Sequence, residues 1–100
     1  NMTIEQQKVF LLGFRDRMTD TIISKQADYA KEDVLSNFKL AGNICGINPS
    51  VNCLSLIATK VARLGVLLNT KESPNNESIE DSLLDLANYS FLLYCLRKDQ

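Results

Sequence analysis

The chain has 100 residues, 11 basic and 12 acidic, with a formal net charge of −1 and no histidine. That length makes one domain, the 45% apolar content is too high for disorder, and near-neutrality gives no basic surface for duplex nucleic acid or an anionic membrane. The missing histidine excludes every mechanism built on a histidine base, and three scattered cysteines, Cys45, Cys53 and Cys95, are too few for a structural zinc site.

An odd cysteine count fits a reducing compartment, so the expected location is the cytoplasm, with three free thiols buried or half-buried. No apolar run approaches the length of a membrane span, and no leader pattern stands at the N-terminus. Asn1 ahead of Met2 reads as an addition, so the expected unit is a single all-α domain over residues 2–100.

In chain order, Thr3 and Gln6 form a capping-box pattern ahead of an apolar run. Ile4, Phe10, Leu11, Phe14, Met18, Ile22 and Ile23 recur at spacings of three and four. This predicts a long helix from about Thr3 to about Ala30. From Lys31 to Asn52, Gly42, Gly46, Pro49 and four asparagines predict a packed loop, with one short helical turn over Asp33 to Phe38. Ser50 is the expected cap of a medium helix to about Leu68. Residues 69–76 read as a polar linker. Asn76 or Ser78 then caps a third, long helix ending near Arg97. No segment alternates apolar and polar residues as a strand would. The expected architecture is a helical bundle of two long helices, one medium helix and a packed loop. The apolar face of the first helix exceeds what one hairpin can cover, which predicts completion by oligomerisation.

Five clusters could carry chemistry. Lys25 and Asp28 share a helical face next to Tyr29, as a surface ion pair or as ligand contacts. Asn37 and Phe38 would serve as turn and anchor, or as the two sides of a base pocket. Lys60-x-x-Arg63 places two cations on one face, either reaching to solvent or clamping a phosphate. Glu77, Asp81 and Asp85 form an acidic ladder at i, i+4, i+8. Asp85 stands between Leu84 and Leu86, where a carboxylate needs a cation or a metal. Asn88-Tyr89 extends that polar face by one turn, as a satisfied helix contact or as a ligand contact.

Taken together, Lys25-x-x-Asp28-Tyr29, Asn37-Phe38, Lys60-x-x-Arg63-Leu64 and Glu77-Ser78-Ile79-x-Asp81-x-x-x-Asp85-Leu86-Ala87-Asn88-Tyr89 resemble the "nucleotide modification associated" domain of phages and bacteria. That domain is similar to the MazG-like all-α NTP pyrophosphohydrolases, helical hairpins that pair into dimers or tetramers. These enzymes cleave a nucleoside triphosphate to monophosphate and pyrophosphate with magnesium. The resemblance implies nucleotide contacts at Lys25, Asp28, Tyr29, Asn37, Phe38, Lys60, Arg63, Asn88 and Tyr89, and magnesium at Glu77, Asp81 and Asp85.

One departure from the pattern redirects the expectation. The family's E-x-x-E motif falls on Lys60-x-x-Arg63, and its E-x-x-D motif falls on Ser82-x-x-Asp85. Two acids have become two bases, which weakens a magnesium site. The expected function is nucleotide binding or sequestration. The alternatives are an active magnesium-dependent pyrophosphohydrolase, with Asp28 or Glu32 completing the metal set, and a helical interaction module whose charges are interhelical glue. The expected partners are a nucleotide and further copies of the chain.

Overall fold

The computed structural model describes residues 1–26, 33–70 and 76–99, with the side chains of Asn76 and Glu77 outside that description. It contains four helices: α1 (Ile4–Gln26), α2 (Ser36–Cys45), α3 (Pro49–Asn69) and α4 (Asn76–Lys98). No strand occurs among the described residues. The all-α bundle is as the sequence predicts.

The capping box ahead of α1 forms in both directions. Gln6 N–H donates to Thr3 Oγ1 at 3.1 Å, and Thr3 N–H donates to Gln6 Oε1 at 2.9 Å. Two donors left over at the helix start are thereby satisfied.

The loop expected over residues 31–52 is largely helix from Asp33 on, Lys31 and Glu32 lying outside the described residues. α2 spans ten residues, including Gly42. Asp33 starts it, its carboxylate accepting Leu35 N–H at 2.9 Å. Gly46 ends it at φ 68, a left-handed conformation that glycine adopts without steric cost, with Ile47 N–H returning to the Gly42 carbonyl at 2.9 Å. Gly42 is required for a different reason. A Cβ there would lie 2.7 Å from the Ile47 carbonyl oxygen. The glycines that look like loop residues in the sequence are thus a helix stop and a close approach.

α3 begins one residue before the expected cap. Pro49 occupies the first turn, where its missing N–H is no loss, and Asn48 is the cap, accepting Ser50 N–H at 2.8 Å. Ser50 is therefore inside the helix. At 21 residues, α3 is also longer and more continuously apolar than the sequence reading allowed. By length and composition it is the one helix among the described residues that could cross a membrane. Lys60 and Arg63 stand near its middle, however, and a charge at the centre of a span costs roughly 2.5–3.5 kcal/mol on insertion scales.

α3 and α4 form the main hairpin, and its core is small. Leu35 of α2, Cys53 of α3 and Leu96 of α4 are buried together, with Phe38, Ile57, Tyr89 and Leu92 packed against them. α2 closes one end of this hairpin. α1 lies along α4, with no buried residue of its own among its 23. The radius of gyration is 15.9 Å, against about 13 Å for a compact domain of this length.

Candidate functional site

The α3–α4 hairpin brings Lys60 and Asp85 together. Lys60 Nζ lies 3.0 Å from Asp85 Oδ2, with the two side chains 28% and 39% exposed. This answers the question posed by Asp85, a carboxylate set between two leucines: its cation comes from the facing helix. Arg63, one turn along α3 on the Lys60 side, is exposed and makes no ion pair among the described residues. The cluster thus holds one neutralised pair and one open guanidinium.

The acidic ladder does not act as a unit. Asp81 was expected to hold a metal, and Arg17 of α1 stands beside it, Nη2 3.7 Å from Asp81 Oδ1 and Nη1 4.0 Å from Glu80 Oε2. Arg17 is the residue the sequence reading missed. It is one of four bases on α1, with Lys8, Arg15 and Lys25, and nothing in its spacing singles it out. Ser82 is buried. Among the described residues no three acidic, cysteine or histidine side chains gather as a metal would need. Asp81 and Asp85 are each engaged by a cation, so these residues do not fit a magnesium centre by themselves. The Glu77 side chain lies outside the described residues.

Asn88, one turn beyond Asp85, is only 6% exposed, and neither its Nδ2 nor its Oδ1 has a hydrogen-bond partner. An unmet buried amide costs about 1–3 kcal/mol. Tyr89 is half-buried against the core, and its backbone carbonyl accepts the Cys53 thiol at 3.4 Å. Burial of that thiol pushes its pKa up. Of the three free cysteines expected to be covered, Cys53 is buried and Cys95 half-buried, but Cys45 is exposed at the end of α2, where the helix has turned out to solvent.

The second group of predicted residues sits further along α4. Lys25 and Phe38 both line a cavity of about 140 Å³ between α1, α2 and α4, with Leu35, Phe91 and Cys95. Phe38 packs on the core there and acts as an anchor. Asn37 is exposed on the first turn of α2. Asp28, Tyr29 and Glu32 lie outside the described residues. From Asp85 to Leu92, which also lines the cavity, is seven residues of helix, about 10 Å. The predicted residues therefore form two separate groups on one helix.

Lys39 makes a polar cluster that no sequence spacing announced. It bridges Asp33 and, at 2.7 Å, Asp99 near the C-terminal end of α4. The hydrogen bond from Lys39 and the one from Leu35 N–H lower the Asp33 pKa, and the two carboxylates raise that of Lys39.

The chain matches no protein-family model, and neither a curated protein nor a solved structure matches it.

Proposed function

We propose that this chain is a nucleotide-binding protein resembling the MazG-like enzymes, and that it holds phosphate through Arg63 and Lys60 without needing a metal. The observation that carries this reading is the Lys60–Asp85 pair at 3.0 Å with Arg63 open beside it. Asp85 holds the Lys60 ammonium in place, and a phosphate arriving at Arg63 meets one open guanidinium with the lysine of a neutral pair beside it on the same helical face. Asn88 supports the same reading. Its amide offers a donor pair and an acceptor, the complement of a base edge, one turn along the helix from Asp85. Engagement of Asp81 by Arg17 and of Asp85 by Lys60 favours binding over magnesium-dependent cleavage.

The test is thermal denaturation against nucleoside mono-, di- and triphosphates and cyclic nucleotides, with and without magnesium. A ligand of the native state raises the melting temperature by linkage. A shift independent of magnesium and lost in Arg63→Ala is the expected result. A shift that requires magnesium and a triphosphate, with monophosphate and pyrophosphate released, returns the hydrolase reading and brings Glu77 into the site.

A second reading is favoured by a different observation. Ile4, Val9, Phe10 and Leu11 of α1 and Val66 and Leu68 of α3 are largely exposed, which suits a helical interaction module. In that case Lys60 and Asp85 are interhelical glue, and no nucleotide alters the melting temperature.

A further inference from the structure

The apolar stripe of α1 runs out before the helix does. Met18 and Ile22 are four residues apart, and the next two positions on that face are Lys25 and Gln26. A helix packed into a core carries apolar side chains there. Here two long polar side chains stand instead, both exposed. Among the described residues α1 packs on α4 and not on α2. The gap left between α1 and α2, with α4 as its third wall, is the cavity of about 140 Å³.

The wall of this cavity is mostly hydrocarbon. Phe38 of α2 and Phe91 of α4 contribute aromatic rings, and Ile22 an aliphatic edge. Close-packed interiors leave few voids larger than a water molecule. An apolar void of about 150 Å³ stays dry and takes up a benzene-sized ring.

The α1 side of the wall is different. Lys25 lays its stem along the cavity and, being exposed, keeps its ammonium in water. It makes no ion pair among the described residues. Gln26 adds an amide next to it. A ring bearing one carboxylate complements both features, with hydrocarbon for the void and a single anion for Lys25. A nucleobase does not. Its edge carries several donors and acceptors that need partners once they leave water, and besides the Cys95 thiol the polar side chains in the wall are Lys25 and Gln26.

We propose that the cavity between α1, α2 and α4 binds a small aromatic monocarboxylate, its ring against Phe38 and Phe91 and its carboxylate paired with Lys25. The cavity lies about 10 Å along α4 from Asp85, so this site stands or falls apart from the phosphate reading at Arg63.

Phenylacetate is the probe. Cys95, in the cavity wall, is the reporter, and the exposed Cys45 is the internal control. Saturating phenylacetate is expected to slow the reaction of Cys95 with a thiol reagent at least about fivefold, with the rate at Cys45 unchanged. Lys25→Met keeps an apolar stem at an exposed position and removes the charge. It is expected to weaken phenylacetate binding about threefold, as the loss of an exposed ion pair does, and to bind the neutral phenylacetamide as the wild type does. Cys95→Phe fills the cavity from its wall and abolishes the rise in melting temperature that phenylacetate gives the wild type. No protection of Cys95, or equal slowing at Cys95 and Cys45, overturns the proposal. Undiminished phenylacetate affinity in Lys25→Met overturns the pairing with the carboxylate. Protection of Cys95 by adenosine as strong as that by phenylacetate overturns the ligand class and makes the cavity a base pocket.

Discussion

Lys60 of α3 and Asp85 of α4 meet at 3.0 Å across the hairpin, each side chain about a third exposed. The pair joins the longest stretch of the fold to the proposed site, since the same contact neutralises a carboxylate flanked by leucines and orients an ammonium. Removing either partner leaves the other charge without its counterpart. A double-mutant cycle of Lys60→Ala and Asp85→Ala by urea denaturation is expected to give a coupling of about 0.5–1 kcal/mol, shrinking in high salt, because screening by solvent keeps half-exposed pairs weak. A coupling of zero would mean that the pair contributes nothing to the hairpin.

Arg63 separates stability from function. Exposed and without an ion pair among the described residues, its replacement by alanine is expected to change unfolding free energy by no more than about 0.5 kcal/mol. Nucleotide affinity is expected to fall about tenfold, which is about 1.4 kcal/mol. A clear loss of stability with affinity unchanged would place Arg63 in the scaffold.

Asn88 is expected to show the opposite balance. Asn88→Leu removes two unmet polar atoms from a buried position and raises stability by about 1 kcal/mol, read from the denaturation midpoint. The same variant weakens nucleotide binding. If Asn88→Leu is markedly destabilised, its amide is satisfied in solution and the ligand role fails.

The cysteines give a test of packing by reaction rate. Cys45 is exposed, Cys95 half-buried and Cys53 buried, its thiol pKa raised by burial. Titration with a thiol reagent at pH 8 is expected to modify Cys45 first, Cys95 more slowly, and Cys53 only on unfolding. Rapid reaction of Cys53 in the native protein would contradict the α2–α3–α4 core.

The Asp33–Lys39–Asp99 cluster predicts a pH dependence. The Asp33 pKa is lowered by folding, so its contribution is present above the unfolded value, near 3.8, and is lost as pH falls through the lower folded value. The Lys39 pKa is raised, so its contribution is present below about 10.5 and is lost as pH rises through the higher folded value. Lys39→Met is expected to flatten both limbs of the stability–pH curve relative to wild type. Unchanged limbs would show that the cluster is not formed in solution.

Much of the fold was legible in the sequence because it rests on local chemistry. Thr3 and Gln6 cap α1 through residues three apart, and the three longer helices follow from apolar spacing. α2 was not legible. Gly42 and Gly46 look alike as letters, but one is required by the approach of the Ile47 carbonyl and the other by a left-handed φ, and both depend on where the chain goes next. In the site, Lys60 against Asp85 was one of two pairings the residues allowed. Arg17 against Asp81 was hidden because it depends on α1 lying along α4, a relationship between elements that no spacing within either helix encodes.

Isothermal titration of the nucleotide that gives the largest thermal shift, in buffer with the divalent cations chelated, tests the central claim most directly. The expected result is saturable binding by the wild type, weakened about tenfold in Arg63→Ala and reduced in Lys60→Ala, with the nucleotide recovered intact. Binding that vanishes on chelation, or that is indifferent to both substitutions, would contradict a metal-free phosphate site at Lys60 and Arg63.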